Sequence, residues 1–131
     1  MYTINEVANS TGLSPHTVRF YAKKELFPNI TRNHQNVRLF SSKDVEYVEI
    51  VKALRMTGMS LGNIKRYIDL CEQGSDTVEE RYNIIRDQQL LAEDYLQEVT
   101  QQIMLLRKKV NYYKQAINEG EDNIIWNPNN L

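Results

Sequence analysis

Apolar residues follow one period in the second half of this chain and shorter, interrupted patterns in the first. From Val78 the series runs Val78, Tyr82, Ile85, Gln89, Ala92, Leu96, Val99, Ile103, Leu106, Val110, Tyr113 and Ile117. The gaps alternate four and three, the a/d seam of a heptad repeat. Only Gln89 is strongly polar, and it either sets the register of the seam or faces solvent. About forty residues at about 1.5 Å rise predict a single helix of roughly 60 Å. A stripe of that length is not expected to be covered by its own small domain. A second copy of the chain is the simplest partner.

The first half reads as short capped elements. Thr3 to Thr11 forms a helix opened by a capping box, in which Thr3 and Glu6 satisfy each other's backbone amides. Gly12 supplies a left-handed stop. Ser14-Pro15 starts a second helix, with serine as N-cap and proline at the first helical position. Two helices across a turn of about three residues have the spacing of a helix-turn-helix. Leu26-Phe27-Pro28 ends the pattern. A hairpin follows, with strands around Ile30-Thr31-Arg32 and Val37-Arg38-Leu39-Phe40 and a turn at Asn33-His34-Gln35-Asn36. Ser41-Ser42-Lys43-Asp44 opens a third helix with Val45, Val48, Val51, Ala53, Leu54 and Met56. Gly58 stops it. Ser60 caps a fourth helix carrying Leu61, Ile64, Tyr67, Ile68 and Cys71 at helical spacing. Gln73-Gly74-Ser75-Asp76 is the one hinge. The predicted organisation is a first domain over 1–74, a dimerisation helix over 75–118 and a tail over 119–131. Ile124-Ile125-Trp126 is apolar enough to dock on the domain or its partner.

Charge sharpens the picture. The 131 residues carry a formal net charge of −1. The first 74 hold ten basic against seven acidic residues, and the remainder six against ten. The basic excess in front fits a nucleic-acid face, and the acidic back half does not. The second helix concentrates Ser14, His16, Thr17, Arg19, Tyr21, Lys23 and Lys24. These donors suit a groove lined by phosphates and base edges. Arg32 and Arg38 lie on the two hairpin arms, with Asn36 at the turn, which is the form of a DNA-binding wing. The expected partner is therefore double-stranded DNA. A competing reading is a coiled-coil adaptor whose winged domain binds protein.

Other chemistry is sparse. No glycine-rich phosphate loop, nucleophile with its base, or acid pair is evident, so no enzyme is expected. His16 and His34 are far apart in sequence, and one cysteine cannot supply a zinc cluster, so neither metal nor cofactor is expected. Cys71 continues the stripe of Ile64, Tyr67 and Ile68 and reads first as a small buried hydrophobe, second as a thiol sensor. With Glu6 arriving early and no apolar h-region after it, no signal peptide is expected. No apolar run approaches the ~18 residues of a membrane span. A reducing cytoplasm is the expected compartment.

Taken in order, Tyr2-Thr3-Ile4-Asn5-Glu6-Val7-Ala8, Gly12-Leu13-Ser14, Thr17-Val18-Arg19-Phe20-Tyr21, Leu26, Arg38-Leu39-Phe40, Asp44-Val45, and Leu54-Arg55 with Gly58-Met59-Ser60-Leu61 and Ile64 resemble the MerR family of bacterial transcription regulators. The likeness spans the first 74 residues. It implies a mainly α protein: a winged helix-turn-helix domain with a short β-hairpin wing, then a long helix forming an antiparallel coiled-coil dimer. It also implies distortion of a pseudo-palindromic promoter operator, beside RNA polymerase on the same promoter. Where the family reads Arg-Tyr-Tyr-Glu, this chain reads Arg19-Phe20-Tyr21-Ala22. Arg19 and Tyr21 carry over, and Phe20 lacks a hydroxyl. Where the family wing reads Gly-Tyr-Arg, this chain has Asn36-Val37-Arg38. Asn36 replaces the glycine in a left-handed turn, and Arg38 carries over. Metal-sensing members use several cysteines, whereas this chain has one.

Overall fold

The computed structural model describes residues 1–120. The elements follow the capping chemistry closely. Helix α1 spans Ile4–Thr11, with Thr3 as N-cap and both bonds of the capping box formed. Gly12 closes it at φ 76°. Helix α2 spans Pro15–Lys23 behind the Ser14 cap. Strands β1, Thr31–Arg32, and β2, Arg38–Leu39, pair antiparallel. Helix α3 spans Ser42–Met56, α4 spans Leu61–Gln73, and a 3-10 turn at Ser75–Thr77 leads into α5, Val78–Asn118.

The hairpin ladder is shorter than its apolar pattern indicated. Ile30 and Val37 lie outside it. Phe40 instead exchanges backbone bonds of 2.7 and 2.8 Å with Tyr2, tying the chain start to the wing's base. One core joins the helices of this head. It holds Val7, Ala8, Val18, Leu26, Phe27, Phe40, Tyr47, Val48, Val51, Met59, Ile64 and Ile68. The Phe27 and Phe40 rings pack at 5.7 Å, a favourable tilted pair. On α3, Val48 and Val51 are buried, while Ala53 and Met56 face away from the core.

The chain divides into two compact units, Met1–Gln88 and the remainder from Gln89. The first turns of α5 therefore belong to the head. Ile84 packs on its core, and the Gln88 amide donates to the Thr57 carbonyl at 2.9 Å. The Gln73–Asp76 segment, expected as a hinge, is a braced corner. Gly74 takes φ 102°. The buried Thr77 hydroxyl lies 2.6 Å from the Leu70 carbonyl and 2.8 Å from that of Gly74. Arg81 donates to both Thr77 Oγ1 and the Gly74 carbonyl. In the second unit α5 leaves most of its large apolar residues open: Leu96 is 64% exposed and Val110 63%. The expected docking of Ile124-Ile125-Trp126 lies outside the described residues.

Candidate nucleic-acid interface

Helix α2 has two faces, fixed by where the core takes hold. Val18 is fully buried, and Tyr21 and Ala22 are half-buried against the same cluster. The opposite side leaves His16, Arg19, Phe20, Lys23 and Lys24 exposed. Those positions step by three, one, three and one, so they form one continuous strip. No ion pair engages Arg19 or Lys23 among the described residues. Arg19 and Glu25 form no ion pair. Glu25 instead turns the chain at φ 61°.

Two of the polar residues expected on this helix serve its start. The Ser14 hydroxyl accepts from the Thr17 amide at 3.1 Å and donates to the Thr17 hydroxyl at 2.9 Å. Lys24 Nζ sits 5.5 Å from the centroid of the Phe20 ring, and the Tyr21 ring lies 5.8 Å from the same ring. The half-buried Tyr21 side chain, with His16, Thr17, Phe20, Arg55 and Leu61, lines a recess of about 360 Å³. Arg55 is held there by donating to the Met59 carbonyl at 2.8 Å. Sequence reasoning placed Arg55 in a family motif but not beside α2. Its signal was a cation in the last turn of α3, where it also complements the helix dipole.

The hairpin brings its two arginines face to face. Arg32 stands directly opposite Arg38 in the ladder. Like charges across a strand pair oppose pairing. Arg32 relieves part of that by donating to the Asn36 carbonyl at 2.7 Å. Asn36 itself takes φ 60°, the left-handed turn expected of it. Asn33 Oδ1 accepts from the amides of Gln35 and Val37 and fixes the tip. His34 is exposed at that tip. The wing's base is anchored by a buried acid. Asp44 accepts from Ser41 in the α3 capping box and from the Asn29 amide at 3.1 Å. Glu72 on α4 accepts from the Asn29 side chain at 2.8 Å and pairs with Lys43 at 2.9 Å. Bonds from Lys43 and Asn29 hold the Glu72 carboxyl below the ordinary carboxylate range, and the Lys43 ammonium is raised in return.

Of the seam residues, Val78, Tyr82, Ile85, Ala92, Leu96, Ile103, Leu106, Val110, Tyr113 and Ile117 are exposed, and Val99 is half-buried. Gln89 is exposed and donates to Glu93 on its own helix. Leu106, Val110, Tyr113 and Ile117 with Lys109 and Lys114 line an open apolar recess of about 470 Å³. Cys71 is half-buried, its Sγ 3.9 Å from the Arg81 guanidinium. Burial, together with the neighbouring thiol, pushes the Tyr67 phenol above its usual value. Among the described residues no three His, Cys, Asp or Glu side chains gather as a metal site, and no helix is long and apolar enough to cross a membrane.

Comparison with known proteins adds a consistent set of likenesses. A family model described as MerR HTH family regulatory protein matches residues 2–71. A helix-turn-helix-type transcriptional regulator of Haemophilus influenzae is 35% identical over 115 residues, covering 88% of this chain and 85% of that protein. The helix-turn-helix-type regulator AdhR of Bacillus subtilis is 33% identical over 85 residues, covering 65% of this chain and 61% of that protein. Among solved structures, HiNmlR, a MerR family regulator lacking the sensor domain and bound to promoter DNA, matches with a TM-score of 0.71 and 34% identity. That match covers 91% of this chain and 94% of HiNmlR. A MerR family regulator from Bacillus thuringiensis matches with a TM-score of 0.69 at 29% identity, covering 86% of this chain and 98% of that one.

Proposed function

Because this chain belongs to the MerR family of helix-turn-helix transcriptional regulators, we propose that it works as a homodimer that grips a pseudo-palindromic promoter operator and distorts it. The observation that carries this reading is the exposed strip of His16, Arg19, Phe20, Lys23 and Lys24 on α2. The major groove admits an α-helix, and the strip's cations suit the phosphates that border the groove. Ser14 and Thr17 set the start of that helix, and Tyr21 flanks the strip from its core side. Arg32 and Arg38 hold backbone phosphates beside the groove, and a polyanion relieves their mutual repulsion. Asn36 shapes the turn between them. The relative held on promoter DNA supports the same assignment. An adaptor that bound protein would leave this cationic strip without a use.

The seam from Val78 to Ile117 carries the dimer, by burying its apolar residues against a second copy in antiparallel order. It contains no glycine, so two heads joined through it hold a set spacing. Both heads then engage their half-sites only on a duplex of matching bend and twist. That deformation costs a few kcal/mol, offset by contacts made on the deformed DNA alone. Distorting the operator in this way would present the promoter to RNA polymerase in a changed geometry, in the bacterial cytoplasm. The role is binding and shape change rather than catalysis. Cys71, beside Arg81 at the corner between α4 and α5, is the one thiol through which an electrophile could act on this arrangement.

Chemical probing of the bound operator tests the distortion. Hyper-reactive steps are expected at the centre, between the half-sites. Smooth protection across the centre would make the protein an occluding repressor without DNA distortion.

A further inference from the structure

The strip on α2 is polar except at one position. Phe20 stands in its middle, 42% exposed, between Arg19 and the two lysines. A single exposed hydrophobe is ordinary on a protein surface. This one differs in two respects. It occupies the face that the functional reading assigns to the groove, and its ring is held on two sides. Lys24 lies over the ring at 5.5 Å, and Tyr21 packs against it at 5.8 Å. Such neighbours restrict the ring while leaving part of it open to solvent.

The major groove displays donors, acceptors and one apolar feature, the 5-methyl group of thymine. A phenyl ring has no hydrogen bond to offer a base edge or a phosphate. What it can match is that methyl. We propose that Phe20 is a specificity-determining residue that packs on the methyl of one thymine in each half-site. This rests on the DNA-binding reading above and assigns its one apolar contact. Lys24 acts as a positioning residue for the ring and keeps its charge available for the adjoining phosphate.

The test uses the full chain and a duplex selected for binding, with each thymine replaced in turn by deoxyuridine, which removes only the methyl. One position per half-site should weaken the wild type about three- to five-fold, the expected effect of one methyl group's burial. Phe20→Ala should bind the thymine duplex more weakly and show no further loss on the uracil duplex. Phe20→Leu, which keeps an apolar tip, should retain part of the methyl sensitivity. A wild type that binds the duplex yet ignores every methyl overturns this proposal and leaves the DNA-binding reading standing. So does a methyl effect that Phe20→Ala retains in full. If no duplex is bound at all, the functional reading fails first and this inference fails with it. The wild-type comparison needs no variant, so a folding defect in Phe20→Ala does not obscure the result.

Discussion

Leu106→Asp should dissolve the dimer while leaving the fold of the head intact. In the single chain Leu106 keeps 60% of its surface exposed and Ile103 keeps 40%. A partner helix would cover both. Losing the leucine removes about 1.5–3 kcal/mol of burial per site. The aspartate must then be protonated on burial or stay charged in an apolar seam. Protonation near neutral pH costs about 4 kcal/mol from its ordinary pKa, which bounds the penalty, because the group neutralises when charge costs more. Symmetry places the change twice in the dimer. Even half of the summed penalty, about 5.5–7 kcal/mol, weakens association by roughly 10⁴- to 10⁵-fold. Sedimentation velocity over a concentration series reads this directly. The wild type should sediment as a dimer and Leu106→Asp as a monomer. Gln101→Asp, the same charge placed off the seam on an exposed position, should remain dimeric. A monomeric wild type, or a dimeric Leu106→Asp at matched concentration, would refute the seam.

Arg19→Ala should lose about 1–3 kcal/mol of operator binding if the arginine reads a base, and competition against scrambled duplexes should show reduced specificity. Arg38→Ala should weaken all sequences evenly and lower the slope of affinity against salt by about one; an unchanged slope contradicts the phosphate assignment. Thr77→Val should destabilise the head by about 1–3 kcal/mol, because the carbonyls of Leu70 and Gly74 lose a buried donor, and a thermal melt unchanged from wild type would mean the corner is not braced as described. The Glu72 carboxyl is held low by Lys43 and Asn29, so its contribution is present above the unfolded carboxylate value and is lost as pH falls through the depressed one. Glu72→Gln should therefore flatten that part of the acid limb of stability, and melts over a pH series that superimpose for the two proteins would contradict it.

The elements that were legible in the sequence are those set by local side-chain to backbone bonds. Thr3 with Glu6, Ser14, Ser41 with Asp44, and Ser60 each cap a helix within three residues of themselves. Asn36 could be placed in a left-handed turn because few residues adopt one. The heptad beyond Val78 was equally open, because its period is written in the residue types. What stayed hidden depends on contacts between distant segments. The bond from Asn29 to Asp44 spans fifteen positions, and that from Gln88 to Thr57 spans thirty-one. The second of these places the start of the long helix with the head. On α2 the residue types announced a DNA-binding helix, but its outward face emerged only once Val18 and Tyr21 were seen on the core. That is why Phe20, read from sequence as a lost hydroxyl, stands out in the structure as the centre of the strip.

Selection of bound duplexes from a random pool tests the central claim most directly, because it asks at once for sequence preference and for two-fold symmetry. The wild-type chain should enrich an inverted repeat whose half-sites keep one fixed separation, and Leu106→Asp should fail to enrich that paired arrangement. A pool that returns no motif, or a single half-site with no partner at constant spacing, would contradict a dimeric, sequence-reading regulator.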